Sequence, residues 1–233
     1  MQAVILAAGE GRRLRPLTED RPKPMVLVGD RPLLEHTLET LPKGINEIIL
    51  VVGYKQEKIK EYFGDEWRGT RLVYVDQPEP KGTGEALERA RPLLDGNPFL
   101  MMYADDLFHS DDIALLAASD YPALLVKEHE HPERFGVCDI SDDGFLRELI
   151  EKPEHPVGNL VNLGPALLHH TIFDMPKVFD ARGEHVIAPQ IGILAKHTPV
   201  KVFTVRFWHS IGYPEDIEKA EHYMNIPPKE RRN

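Results

Sequence analysis

The first half of the chain alternates strand-length apolar runs with amphipathic stretches, and that alternation constrains the fold more than any single residue does. Residues 3–7 (AVILA), 46–54 (NEIILVVGY), 71–76 (RLVYVD) and 98–105 (PFLMMYAD) are short, apolar and rich in β-branched or aromatic side chains. Each reads as a buried strand. Apolar positions at helical spacing follow them, over 33–41, 56–63, 84–94 and 111–118. Strand and helix in turn build βαβ units, because parallel neighbours need a crossover and the crossover helices cover both faces of the sheet. The crossovers are expected to be right-handed.

The second half changes texture. One more buried strand is expected over 121–126. Residues 135–140 and 145–150 flank Ser141-Asp142-Asp143-Gly144, a turn signal that predicts an antiparallel hairpin. A helix is expected over 186–196 and a strand over 200–207 (VKVFTVRF). The last helix should begin near Pro214, with Glu215 and Asp216 in the first turn, where the helix dipole favours acids. Its Ile217, Ala220 and Met224 share one face. No composition break, Gly/Ser linker or repeat divides the chain. Residues 1–225 are therefore read as one domain and 226–233 (IPPKERRN) as a frayed tail.

Composition removes several classes of function. At 233 residues and 42% apolar, the chain can build its core without a disulfide or metal staple. Lys and Arg total 28 against 38 Asp and Glu, a net charge of −10, which argues against a nucleic-acid or anionic-membrane binder. The one cysteine, Cys138, excludes an internal disulfide framework and a cysteine-based zinc site, and is expected to be a small buried apolar residue. The N-terminus lacks the basic-then-apolar order of a signal peptide, and no stretch approaches the ~20 apolar residues of a membrane span. A soluble, cytoplasmic protein is expected. His129 and His131, like His169 and His170, have no spacing that gathers metal ligands on one helix face, and a surface role is expected for them.

Chemistry concentrates after the first strand, in LAAGEGRRLRP (6–16). A small-residue loop there lets backbone N–H groups approach an anion closely. Leu14 stands where a dinucleotide fingerprint needs a small residue, and the Gly-Lys-Ser/Thr of a Walker loop is absent. What remains is a glycine loop closing on Arg12, Arg13, Arg15, Arg21 and Lys23 in an otherwise acidic chain, where a sheet's ligand crevice should lie. Alone, such a loop is equally an ordinary turn with solvated arginines.

The run from Leu6 to Leu14, then Arg15-Pro16-Leu17-Thr18, Pro22-Lys23-Pro24-Met25 and Gly29-Asp30-Arg31-Pro32-Leu33, resembles the start of the sugar-1-phosphate nucleotidyltransferases. Later landmarks follow in order: Gln77-Pro78, KGTGEA (81–86), Ala104-Asp105-Asp106, Phe135-Gly136-Val137, Glu151-Lys152-Pro153, Asn162-Leu163-Gly164 and WHSIG (208–212). The resemblance covers nearly the whole chain to about Asn225. It implies a Rossmann-like (GT-A-like) α/β fold, a mixed, mostly parallel sheet between helices, with a small antiparallel hairpin for the sugar site. It also implies the reaction of an NTP with a sugar 1-phosphate to give an NDP-sugar and pyrophosphate, with Mg²⁺. A phosphate oxygen attacks the α-phosphorus in line, and fixed cations with a divalent metal stabilise the shifting charge.

Position by position, the resemblance gives Arg13, Lys23 and Asp105 the catalytic roles: triphosphate contact, α-phosphate contact and metal ligand. Leu6, Ala7, Ala8, Gly9, Gly11, Arg12, Gln77, Gly82 and Thr83 would bind the nucleotide. The Gln77 amide carries a donor and an acceptor for the edge of uracil or thymine, favouring UTP or dTTP, and Gly82 would let the base approach the backbone. Gly136, Glu151, Lys152 and Asn162 would bind the sugar phosphate.

Two departures stand out. Relatives commonly have Thr where this chain has Arg12, which adds a cation beside the phosphates or forms an exposed salt bridge. The family's last motif usually carries a second metal carboxylate where this chain has Ser210. A hydroxyl is a weaker ligand. Ser210 with a metal-bound water, compensation by His209 or Asp106, and a homologue that binds nucleotide sugar without turning it over all stay open. A guanylyltransferase or an alcohol-phosphate cytidylyltransferase is the alternative enzyme. The particular hexose and homo-oligomer formation stay open too.

Overall fold

The computed structural model describes residues 1–225, so the expected tail 226–233 and the side chain of Met224 lie outside the described residues. In chain order the elements are β1 (Gln2–Ala7), β2 (Leu27–Val28), β3 (Arg31–Pro32), α1 (Leu33–Glu39), β4 (Glu47–Val52), α2 (Gln56–Phe63), β5 (Glu66–Trp67) and β6 (Thr70–Asp76). Then come α3 (Thr83–Ala90), β7 (Phe99–Tyr103), β8 (Asp106–Phe108), α4 (Ser110–Ala117), β9 (Ala123–Glu128), β10 (Gly136–Ile140) and β11 (Leu146–Glu151). The chain continues through β12 (Leu160–Leu168), α5 (Ile187–Leu194), β13 (Lys201–Thr204), β14 (Trp208–Ser210) and α6 (Pro214–Asn225).

The main sheet runs β11-β10-β12-β7-β1-β4-β6-β5, with β9 and β13 branching from β12. Its centre, β7-β1-β4-β6, is parallel, and antiparallel strands flank it. This is the expected mixed, Rossmann-like sheet. Period-two alternation sorts its side chains between two cores. Ala3, Ile5, Ile48, Leu50, Leu100 and Met102 face one layer, with α1, α2 and α4 represented by Leu34, Leu38, Ile59, Phe63, Ile113 and Leu116. Val4, Ile49, Val51, Phe99 and Met101 face the other, with Leu87 of α3 and Ile187, Ile191 and Leu194 of α5. A third, small core joins Leu14 of the glycine loop to Val28, Leu33, Leu107, Ile211 and Ala220. Ile217 packs against it, so α6 is docked by the face its sequence marks.

The hairpin forms as expected, β10 pairing β11 antiparallel from Gly136↔Glu151 to Ile140↔Leu146. Three expectations are corrected. The helices at 84–94 and 186–196 end earlier, the first passing into a 3₁₀ turn at Arg91–Leu93 where Pro92 cannot supply a helical N–H. The strand at 200–207 stops at Thr204. The long strand β12 carries no clean sequence signal, because Asn162, Gly164 and Pro165 interrupt its apolar run. Those residues form a register shift between Asn162 and Ala166. Gly164 takes φ 103°, and a Cβ there would lie 2.4 Å from the Tyr103 ring.

Candidate active site

Loops at the carboxyl ends of the parallel strands converge on one cavity of about 470 Å³. Leu6 and Ala7 at the end of β1 line it with Ala8 and Gly9; after β6 come Gln77 and Gly82, followed by Thr83 at the start of α3. Ala104, Asp105 and Asp106 follow β7, and Lys23 and Arg13 reach in from the segment beyond the glycine loop. The far wall is the hairpin and β12, through Gly136, Glu151, Lys152 and Asn162. Sequence-distant motifs thus share one crevice at the strand ends, where open α/β sheets hold ligands. A second surface depression, lined by Asp20, Arg21, Met25, Lys58, Glu61 and Tyr62, gathers none of the expected site residues.

Two expected residues are placed elsewhere. Arg12 is 72% exposed and turned to Glu10 at 2.6 Å, outside the cavity lining, which is the exposed salt bridge. Gly11 also lies outside the lining, packed against Lys23 in a left-handed conformation.

Charge at the centre is closely arranged. Lys23 Nζ donates to Asp105 Oδ2 at 3.0 Å, and the lysine side chain is only 12% exposed. Next to Asp105, the partly buried Asp106 accepts three hydrogen bonds: from Trp208 Nε1 at 2.8 Å, Ser210 Oγ at 3.0 Å and Ile211 N at 3.2 Å. Burial, then repulsion from Asp105, push its carboxyl up to about 6, against the pull of Lys23 and these donors. β8 and β14 pair so that Asp106 and Ser210 are direct cross-strand partners. The Ser210 hydroxyl is therefore committed to a neighbouring carboxylate.

At the base end, Gln77 is 6% exposed and its Nε2 donates to Gly82 O at 3.0 Å and Glu85 Oε2 at 2.6 Å. Both partners are acceptors, so the amide orientation is fixed. This corrects the expectation that Gln77 presents a donor and an acceptor together: both its N–H groups are engaged, and its carbonyl oxygen is the group left to face a ligand. The glycine at Gly82 also has another reason than the expected one. A Cβ there would lie 2.2 Å from His185 O, so the residue is small to fit against His185. Thr83 Oγ1 accepts from Ile187 N at 3.1 Å, tying the same turn to α5.

At the sugar end, Glu151 and Lys152 pair at 3.2 Å. Lys152 holds φ 46°, rare for a non-glycine residue, and its N–H donates to Phe135 O at 2.9 Å. Sequence reasoning missed part of this wall. Tyr103 lines the cavity two residues before Asp105, Arg134 lines it beside a motif residue, and Trp208, quoted as a motif landmark but given no site role, lines it too. Trp208 and Phe135 meet edge to face at 5.7 Å, and His129 packs on Phe135 at 4.7 Å. Alternation along β7 could have found Tyr103. His129 is half-buried packing against Phe135 and Trp208 rather than a surface group, and that burial lowers its pKa. Cys138 is buried as expected, and burial alone pushes its thiol up to about 12.

A glycine loop, clustered cations and paired carboxylates on a crevice at parallel-strand ends define an α/β protein whose crevice suits an anionic ligand. The chain belongs to the nucleotidyl transferase family, whose model matches residues 2–225. It is 40% identical over 235 residues to the UTP–glucose-1-phosphate uridylyltransferase AglF of Haloferax volcanii, covering 95% of each chain. It is 38% identical over 227 residues to the bifunctional protein GlmU of Methanocaldococcus jannaschii, covering 96% of this chain and 54% of that one. The chain thus spans about half the length of its bifunctional relative. The solved UDP-glucose pyrophosphorylase from Acinetobacter baumanii superposes with a TM-score of 0.83 over 98% of this chain and 94% of that chain, at 23% identity. A UDP-glucose pyrophosphorylase complexed with UDP-glucose gives 0.82 at 22% identity, over 96% and 98%. These two likenesses show the shared fold. Among the described residues, no helix is long and apolar enough to cross a membrane.

Proposed function

We propose that residues 1–225 transfer a nucleotidyl group from UTP or dTTP to a hexose 1-phosphate, releasing pyrophosphate, as a cytoplasmic enzyme of nucleotide-sugar synthesis. The observation that carries this reading is the single crevice that joins the glycine loop, Lys23 and Asp105 to the Glu151–Lys152 wall. Lining one cavity, the two sets would serve as the anion-binding and polyol-binding ends for a single ligand. The 40% identity to AglF supports the uridylyl choice.

Base choice also has a physical argument. A carbonyl oxygen at Gln77 would accept from a ring N–H, which uracil and thymine carry at N3 and guanine at N1 but cytosine and adenine lack, so it argues against CTP and ATP while the likeness to AglF favours uracil over guanine. Backbone N–H groups of the 7–9 loop and the cations Arg13 and Lys23 would face the phosphates. The nucleophile is the sugar phosphate oxygen, already an anion, so no side chain need act as base. Its bond to the α-phosphorus forms as the bond to pyrophosphate breaks, and Arg13 would take up charge on the leaving group while Lys23 neutralises the α-phosphate. Glu151 would accept from sugar hydroxyls and Lys152 would pair with the sugar phosphate, with Gly136 and Asn162 closing that end.

The donor set fits a hard divalent cation. Asp105 and Asp106 are adjacent oxygen donors on the cavity wall, the ligand type a hard cation takes. Magnesium takes few protein oxygens and leaves the rest to phosphates, so Asp105 and Asp106 would hold it, with Ser210 and Trp208 fixing Asp106. When bound, such an ion supplies charge neutralisation between the phosphates. The test is pyrophosphorolysis: UDP-hexose or dTDP-hexose with pyrophosphate and Mg²⁺ should yield UTP or dTTP, and Asp106→Asn should weaken Mn²⁺ binding followed by electron paramagnetic resonance. Triphosphate formed only from GDP-, CDP- or ADP-linked substrates would contradict the base assignment.

A further inference from the structure

Five cations line the cavity: Arg13, Lys23, Arg134, Lys152 and Arg182. Four have a carboxylate within 4.0 Å. Lys23 pairs with Asp105, Arg134 with Glu133, Lys152 with Glu151, and Arg182 with Asp180 and Glu184. Among the described residues Arg13 alone has none. Its guanidinium instead lies 5.1 Å from the centroid of the Tyr213 ring, and Tyr213 is not part of the cavity lining. We infer that Tyr213 is a positioning residue that holds Arg13 in place without neutralising it, so that the guanidinium keeps its full charge for the β- and γ-phosphates.

The physical reason is competition. A carboxylate that orders an arginine also occupies its donors and must be displaced by an incoming phosphate. An aromatic face orders the same cation through its quadrupole and leaves the N–H groups free. Tyr213 is itself well held. Asp216 Oδ2 accepts from Gly212 N at 3.0 Å and Tyr213 N at 2.8 Å, the reciprocal arrangement of a helix start, and Asp216 N donates back to Tyr213 O at 3.0 Å. The same Asp216 carboxylate faces Lys219 at 3.6 Å, so its charge is answered within its own helix. Leu14, next to Arg13, and Ile211, two before Tyr213, are both buried in the small third core. That core locks the glycine loop and the start of α6 to each other, giving α6 a task at a site it does not line.

This inference rests on the nucleotidyltransferase reading, and binding measurements separate the two. Calorimetry with pyrophosphate and with UMP, both with Mg²⁺, should show Tyr213→Leu weakening pyrophosphate binding roughly 3- to 30-fold while UMP affinity stays within about twofold. Tyr213→Phe keeps the ring face and should restore wild-type affinity, which a merely structural hydroxyl or packing role would not predict in combination with selective loss. In an Arg13→Ala background, Tyr213→Leu should have no further effect on pyrophosphate. Tyr213 is 45% exposed, so its replacement leaves the cores intact, and unchanged melting temperatures check this. Wild-type pyrophosphate affinity in Tyr213→Leu, or a loss that persists without Arg13, overturns the inference while leaving an active wild-type enzyme as proposed. A wild-type chain that neither binds pyrophosphate nor forms it from any nucleotide overturns the functional reading and this inference together.

Discussion

Gly9 and Gly11 stand two apart in the same loop, yet the structure gives them opposite reasons for being glycine. Gly11 sits at φ 67°, ψ 41°, and a Cβ built there would lie 2.7 Å from Lys23 Cβ and 3.2 Å from Thr18 Cγ2. The first contact is to the base of the lysine side chain rather than its flexible end, so relief requires Lys23 to move. Left-handed backbone costs an alanine about 1–2 kcal/mol and overpacking another 1–3, so Gly11→Ala should lose roughly 2–5 kcal/mol. At about 2–4 °C per kcal/mol for a chain of this size, the melting temperature should fall roughly 4–20 °C. Lys23 must retreat by several tenths of an ångström to reach ordinary contact, dragging the ammonium from Asp105. Misplacements approaching 1 Å cost up to about 10²-fold, so turnover should drop roughly 10- to 100-fold. Gly9 lines the cavity, and its Cβ would meet nothing within 4 Å. Gly9→Ala should therefore keep the melting temperature within about 2 °C while its methyl intrudes on ligand space and raises KM. Thermal denaturation and pyrophosphate release on both variants check the split. Gly11→Ala melting like wild type, or Gly9→Ala destabilised with normal KM, would refute the reasoning.

Lys23→Ala should reduce kcat about 10²–10³-fold, the usual cost of losing one donor aimed at developing charge, with little change in affinity for sugar phosphate; turnover within a few-fold of wild type rejects its role. His129 has its pKa lowered by burial against Phe135 and Trp208. The unfolded chain then binds that proton more readily, so the stability His129 contributes is present above its ordinary 6.5 and is lost as pH falls below it. His129→Gln should flatten the stability decline between pH 7 and 5 in urea titrations, and an unchanged slope would contradict this. Cys138, buried with its thiol pushed up to about 12, should resist a thiol reagent in the native chain and react once per molecule in denaturant.

The parallel centre was legible because β1, β4, β6 and β7 are apolar runs of strand length, rich in β-branched or aromatic residues and set off by helices. β12 was not. Its nine residues include Asn162, Gly164 and Pro165, which local rules read as loop, and only the Tyr103 ring lying against Gly164 makes sense of them. At the site, motif order brought Lys23, Asp105, Glu151 and Lys152 to one crevice from sequence alone. What sequence could not show was the direction of each side chain. Gln77 and Gly82 are named by the motif, but their roles depend on Glu85 and His185, residues brought near by α3 and the segment before α5. Ser210 looked like a lost ligand until the β8–β14 register placed it opposite Asp106. Tyr213 carries no motif at all, since a ring under an arginine is a tertiary relation.

The most direct test is pyrophosphate release with Mg²⁺ from ATP, GTP, CTP, UTP and dTTP, each combined with several hexose 1-phosphates, with Asp105→Ala run beside it as a blank. The account predicts turnover with UTP or dTTP and one or two hexose 1-phosphates, abolished in the blank. Silence in every combination, with nucleotide-sugar binding still detectable by calorimetry, would contradict it and mark the chain as a binder rather than a catalyst.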